Sequence, residues 1–334
     1  MDQFLDLTQE VVDLPEVIDP SIQRKAWLAN DLADKEWVIE MTDQVLAEID
    51  HLIAALKAKP LPLYLRSPDG FELPELRRLY AEVKKNLDEG IGFVVLDKMP
   101  IDDHPLDDIL GCYWVLSQLL GPTVAQKWDG TMIYDVTDTK QNYSYGVRGS
   151  ATNVELVFHT DNAFGARVPD YVGLFCKYPA ASGGLSRFCS LYAVHERLRQ
   201  AYPNALRRLY QPMYFDRQAE HEEGAAKASF APFFSWREGR LMCRANSSLV
   251  RKGYEVAGVT MDDDLVSAIE AVDAVTAAGD LWIEAPLLRG QVQYLNNHEL
   301  GHYRSTFIDS DDPTMKRHLY RLWHRTDGDR TYDG

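Results

Sequence analysis

The sequence predicts a mixed fold, mostly β with helical decoration (α+β): a sandwich or barrel of short strands with a helical layer at its N-terminal end. Three observations carry this expectation. Apolar residues recur at helical spacing as far as about residue 120. From about residue 130 the texture changes to short apolar runs divided by Gly, Pro and Asp. Those runs resume after a helical interlude, so strands stand on both sides of helical inserts.

In chain order, Trp27, Leu28, Leu32, Trp37, Val38, Met41, Val45, Ile49 and Ile53 are spaced for a helix over 20–58, which Lys59-Pro60 stops. Pro60-Leu61-Pro62 forces an extended link. A helix fits 73–88, a strand 91–96, and a helix again 106–120 before Gly121-Pro122. Strands are expected at 132–134, 154–159, 171–178 and 186–189. Helices are expected at about 191–210 and 261–278, then strands at 281–284, 291–295 and 302–307. The organisation expected is one domain over 1–334. It has a helical layer over 1–90 and a strand core over 91–325, interrupted by a helical insert at about 191–280. Residues 137–152 are polar and contain glycine, and are expected to form a mobile lid.

A net charge of −16 argues against nonspecific nucleic acid or anionic membrane as partner. No apolar run reaches the roughly 18 residues of a membrane span, and Met1 to Asp6 lacks the basic start of a signal peptide. Cys112, Cys176, Cys189 and Cys243 are dispersed, with no CxxC, and read as buried free thiols. A soluble, cytoplasmic protein acting on a small molecule is expected, with monomer and homo-oligomer equally open.

His159-Thr160-Asp161 is the most informative segment. A His and an Asp two apart on an extended chain point to one side. With His302 from a distant strand they complete two imidazoles and one carboxylate, the facial set of a non-haem Fe(II) oxygenase. Taken alone, the pair reads as a strand end whose Asp starts a turn. A competing signal is His298-Glu299-Leu300-Gly301-His302, which matches the HExxH zinc-hydrolase pattern. Strand-like flanks, Ser305 and Ile308 where the longer pattern needs Gly and His, and the lack of any Glu after Glu299 count against it.

Further pieces decide between them. Gly183-Gly184-Leu185-Ser186 forms a tight turn leading a hydroxyl into a strand, and Asn297, His302 and Arg304 fit NN-x4-H-x-R. Arg317 and Arg321 then fit R-x3-R. In this order the chain, from about 130 to 325, resembles the taurine dioxygenase/clavaminate synthase-like family of Fe(II)/2-oxoglutarate-dependent oxygenases. The resemblance implies a double-stranded β-helix (jelly-roll) core, with Fe(II), 2-oxoglutarate and O2 as cofactor and cosubstrates. It implies that His159, Asp161 and His302 bind iron and that Ser186 and Arg317 hold the distal carboxylate of 2-oxoglutarate. Arg321 is expected to bind an anionic group of the substrate or to brace the cosubstrate. Arg304 binds cosubstrate or pairs with an acidic neighbour. A carboxylate at Asp161 implies hydroxylation or desaturation rather than halogenation.

Alternation puts Asn153, Glu155, Val157, His159 and Asp161 on one face, so Glu155 is expected to face the cavity. The resemblance implies that the position four before the first ligand contacts substrate, and an acid there is expected to bind an ammonium group or to make an ordinary salt bridge. With Arg321, that implies a zwitterionic substrate. Tyr134, Tyr143, Tyr145 and Phe164 are candidate lining. Trp236, Trp282 and Trp323 read as packing, and His195, His221, His318 and His324 are assigned no chemistry. The alternatives are a zinc-dependent hydrolase built on the HELGH segment and a catalytically silent jelly-roll that only binds a ligand.

Overall fold

The structure, a computed structural model, describes residues 4–15, 25–142, 144 and 146–333. Its centre is a pair of facing sheets. The larger orders Val38–Glu40, Phe93–Asp97, Val292–Asn296, Tyr171–Tyr178, His318–His324 and Thr123–Val124, with Tyr134–Val136 also paired to His318–His324. The smaller orders Trp282–Glu284, Ser186–Ser190, Leu300–Arg304 and Leu156–His159.

Two-residue alternation sorts the larger sheet into two cores. Phe93, Val95, Leu295, Leu319 and Trp323 face the smaller sheet, where Phe188, Ile283 and Leu300 meet them. Phe93 stacks on Phe188 at 4.5 Å between centroids. Val94, Leu96, Val292, Tyr294, Tyr320 and Leu322 face the opposite way, onto the helices Asp43–Ala58, Pro74–Glu89 and Leu106–Ser117. A third core lies among Leu191–Ala201, Pro203–Leu209, Ser247–Ala257 and Asp263–Ala277, with Cys189 of the smaller sheet in it. The two sheets form the jelly-roll that the resemblance implied, without closing into a barrel.

Three expectations change. The first long helix begins only at Asp43, where the Thr42 hydroxyl accepts from Val45 N at 3.3 Å. Before it, among the described residues, come a single turn at Ala29–Asp31 and the strand Val38–Glu40. Trp27 and Trp37 matched a helical period, but the sheet core takes them instead, against Phe93. The insert at 191–280 is not all helix: Pro212–Asp216 pairs with Ala228–Pro232, and Phe234–Arg237 with Arg240–Cys243. The strand expected at 302–307 runs from Leu300 to Arg304, and His318–His324 is a strand that no periodicity announced. Among its described residues, the 137–152 segment has a 3-10 turn at Gly149–Ala151 and a turn in which Val147 N donates to Ser144 O at 3.0 Å. It is anchored by Arg148, which donates to Glu220 at 2.8 Å and to the Gln126 carbonyl at 2.7 Å. Among the described residues, no helix is long and apolar enough to cross a membrane.

Candidate active site

His159 ends one strand of the smaller sheet and His302 sits in the middle of the next. Their antiparallel register places them directly opposite, with ring centroids 4.2 Å apart. Past His159 the chain must turn to deliver Asp161. Thr160 N donates to Ala245 O at 2.7 Å and its hydroxyl accepts from Ala245 N at 3.1 Å. Asn162 adopts a φ of 54°. Asn297 holds Asp161 from both sides, accepting from its N–H at 2.7 Å and donating to its carbonyl at 3.0 Å. Asp161 Oδ1 consequently stands 3.7 Å from His159 Nε2 and 3.5 Å from His302 Nε2. All three ligand atoms lie within 4.8 Å of one another.

Protonation suits a metal. His159 Nδ1 is 2.8 Å from the Val157 carbonyl, which can only accept, so that nitrogen carries the hydrogen and Nε2 keeps its lone pair. Burial, reinforced by the neighbouring His302, pushes His159 down to about 3, so its imidazole is neutral. Burial alone would raise the Asp161 carboxyl. The Arg321 guanidinium and the two imidazoles outweigh it and hold the group well below the usual carboxylate range. Asp161 divides its labour between its oxygens. Oδ1 faces the histidines, while Oδ2 accepts from Trp323 Nε1 at 2.8 Å and pairs with Arg321 Nη1 at 3.0 Å.

At the other end of a cavity of about 210 Å³ stand two buried arginines. Ser186 lies directly across from Arg304 in the ladder. Arg304 Nη2 donates to the carbonyls of Thr152 at 3.0 Å, Gly149 at 3.4 Å and Val154, while its Nε and Nη1 have no partner among the described residues. Arg317 Nη1 is likewise unpartnered. Both guanidiniums stand 5.0 Å from the Phe307 ring. Burial lowers Arg317 to about 10, and burial with the nearby Arg317 charge lowers Arg304 to about 9. Among the described residues, no carboxylate makes an ion pair with either, and buried cations without a counter-ion are costly. This end of the cavity calls for an anion. The Gly183-Gly184 turn makes it possible: both glycines have positive φ (71° and 65°). A Cβ on Gly183 would lie 2.2 Å from Thr306 O, and one on Gly184 3.1 Å from Arg317 Nε.

The structure thus brings His159, Asp161, His302, Ser186, Arg317, Arg321, Phe164 and Glu155 to one cavity. Glu155 lies at its mouth and accepts from the Tyr303 hydroxyl. Asn153 and Tyr134 are not in the lining. Asn153 is exposed, and its carbonyl accepts from Phe307 N at 3.4 Å. Tyr134 instead lies under the guanidiniums of Arg148 and Arg321 at 5.3 and 4.8 Å. Tyr143 and Tyr145 lie outside the described residues. Arg321 has Nη1 on Asp161 at 3.0 Å and Nε on Gln126 Oε1 at 2.8 Å, so these two nitrogens are already engaged by the protein. Arg304 pairs with carbonyls, not with an acidic neighbour. Trp323, read from sequence as packing, is a donor to Asp161.

The HELGH segment is no helix. It spans a turn and the start of Leu300–Arg304, so the i, i+4 geometry does not form. His298 Nε2 is bonded to Asp170 at 2.9 Å, outside the ligand cluster. Glu299 is buried between Lys25 at 2.6 Å and Arg240 at 2.9 Å, with Tyr192 donating at 3.1 Å. The zinc-hydrolase alternative is thereby set aside. Sequence reasoning missed Gln126, whose signal lies only in the tertiary contact. It also missed Gln293, which lies in the cavity wall and whose buried Oε1 lacks a partner among the described residues. It sits on the inward face of its strand beside Leu295, a polar residue where the pattern wants an apolar one.

Residues 57–323 match the sequence profile of the taurine catabolism dioxygenase TauD, TfdA family. The chain is 26% identical over 311 residues to the taurine hydroxylase-like protein SAT17 of Stachybotrys chartarum, covering 89% of this chain and 77% of that one. Among solved structures, an asparagine oxygenase in complex with Fe(II), 2S,3S-3-hydroxyasparagine and succinate superposes with a TM-score of 0.67 at 18% identity, over 87% of this chain and 94% of that one. The non-heme iron oxygenase OrfP in complex with Fe and alpha-ketoglutaric acid gives 0.64 at 18% identity, with the same coverage. These two share the fold.

Proposed function

This chain belongs to the TauD, TfdA family of Fe(II)- and 2-oxoglutarate-dependent dioxygenases, and on that premise we propose which of its residues bind, orient and protect the reacting groups. His159, Asp161 and His302 hold Fe(II). Arg317 with Ser186, joined by Arg304, holds the distal carboxylate of 2-oxoglutarate. The residues fit both groups. The His159 tautomer frees Nε2 for a metal, and three guanidinium nitrogens (Arg304 Nε and Nη1, Arg317 Nη1) lack a partner among the described residues where a carboxylate would end. That shortage of acceptors opposite a three-ligand face is the observation that carries the reading. Bound there, iron and 2-oxoglutarate supply oxidising power through decarboxylation to succinate and CO2 with consumption of O2.

The rest of the work belongs to the chain. Asp161 is kept ionised and correctly turned by Arg321 and Trp323, and Asn297 fixes its backbone. The inward apolar residues Phe188, Leu319 and Leu174 exclude water from the wall between the histidines and the arginines. Glu155 at the mouth supports a small substrate carrying an ammonium group; the asparagine oxygenase and OrfP structures contain hydroxylated amino acids, in which that group is paired with a carboxylate, and the same zwitterionic class is proposed here. Hydroxylation is the reaction proposed, in one functional unit spanning the chain. Four buried free cysteines support a cytoplasmic location.

The test is anaerobic titration of metal-free protein with Fe(II) and then 2-oxoglutarate, following the weak visible band of a chelated keto acid. The band is expected in His298→Ala and absent in His302→Ala. A band that needs His298, or none in the unaltered protein, would overturn the assignment.

A further inference from the structure

The candidate active cavity does not end at Glu155. A second, larger hollow of about 740 Å³ adjoins it and shares Glu155, Val157, Ser248 and Tyr303 with its lining. One wall is the outer face of the smaller sheet, with residues from all four of its strands; the other is formed by the helices Ser247–Ala257 and Asp263–Ala277.

The sheet wall is built from flat side chains in series. The Arg187 guanidinium lies 4.1 Å from the Trp282 ring centroid and 4.9 Å from that of Tyr303, and Tyr303 meets Phe158 at 5.4 Å. Arg187 is held in this stack by Glu284 at 3.1 Å. Val157, on the edge strand, is 42% exposed into the same space. Charges around the hollow balance: Arg187, Arg251 and Lys252 against Glu155, Glu255 and Asp273, with Arg251 already paired to Asp273. The surface therefore selects for apolar contact rather than for net charge.

Size points the same way. The inner cavity of about 210 Å³ has to take 2-oxoglutarate as well as the reacting end of a substrate. A substrate with any bulk beyond its head can extend past the hydrogen-bonded pair Glu155–Tyr303, which lines both spaces, into the aromatic-walled hollow. We propose that the substrate is an extended molecule: a zwitterionic head inside, with a flat apolar body lying between the Val157–Tyr303–Trp282 wall and the Ala277 side of the helices. This rests on the dioxygenase reading above and adds to it the size and chemistry of the substrate.

The test compares two ligands that differ only in the body. Calorimetry of the anaerobic holoenzyme, loaded with Fe(II) and 2-oxoglutarate, is run with 3-(2-naphthyl)alanine and with alanine. The naphthyl compound is expected to bind at least about tenfold more tightly. An Ala277→Trp variant fills the hollow from the helix side and is expected to abolish that advantage. Its effect on alanine and on the iron–2-oxoglutarate band should be nil. A Trp282→Ala variant removes the opposite wall at a residue that lines only the hollow; it should likewise lose the advantage and guards against a helix that fails to pack. Equal binding of the two ligands, or an advantage that survives both variants, overturns the proposal. Absence of the visible band in the unaltered protein is a separate result, which overturns the underlying reading.

Discussion

Asp161 serves two masters through two oxygens. One faces the paired imidazoles and the other is fixed by Trp323 and Arg321. Partners behind a metal ligand typically affect metal affinity by about 10–100-fold. Trp323→Phe keeps the ring and removes the donor, so Fe(II) affinity should fall by about tenfold in an anaerobic titration, with the circular dichroism spectrum unchanged. Asp170 offers a second check, on stability. Its carboxylate accepts from Thr326 N at 2.7 Å and Thr326 Oγ1 at 2.8 Å and bonds His298, tying the C-terminal tail to the sheet. Burial would raise its pKa, but these partners outweigh burial and bring it to about 2. A carboxylate with a depressed folded pKa stabilises above its unfolded value and loses that stabilisation as pH falls through the folded value. Asp170→Asn should therefore cost about 2 kcal/mol at pH 7 in denaturant unfolding, with the difference from the parent shrinking between about pH 4 and pH 2.

Elements show where a local pattern is sufficient and where it is not. The Pro74–Glu89 helix and the Tyr171–Tyr178 strand stand almost where the apolar spacing puts them, because each has one clear buried face or lies buried along its length. The His318–His324 strand was invisible, since Arg317, Arg321 and His318 break its apolar texture. Those arginines alternate with Leu319 and Trp323 on the inward face, and only an anionic or carboxylate environment makes that tolerable. In the Leu191–Ala201 helix, His195 is buried with Nε2 2.7 Å from the Tyr210 hydroxyl, and burial lowers its pKa to about 4. The neutral form is the one folded there, so its contribution is intact above about pH 6.5 and drains away as pH falls towards 4. His195→Phe should flatten that part of the stability–pH curve, read by thermal unfolding at closely spaced pH values.

At the scale of the molecule, three cores meet around one ligand site. The inter-sheet core ends at the histidines, the helical layer backs the larger sheet, and the insert backs the smaller one. A ligand bound only by this assembled form stabilises it, by about 2.7 kcal/mol at a hundredfold excess over Kd. Mn(II) with 2-oxoglutarate should thus raise the melting temperature by several degrees. The shift should survive His298→Ala and vanish in His302→Ala.

The order HTD, GGxS, NN-x4-H-x-R and R-x3-R was legible in the sequence because each piece meets a local demand. A dipeptide spacing sets a shared face, positive φ calls for glycine, and a buried carboxylate calls for a guanidinium. By itself the sequence determined the fold class, and it pointed to His159, Asp161, His302 and Arg317, which the fold gathers around one cavity. Which way Arg321 turned, that Trp323 donates to Asp161, that His298 belongs to Asp170, and that Glu155 stands between an inner cavity and an outer hollow were decided only by tertiary structure. The reason is physical: these depend on which partner a polar group reaches across well over a hundred residues of chain, and no periodicity along the backbone records a distance in space.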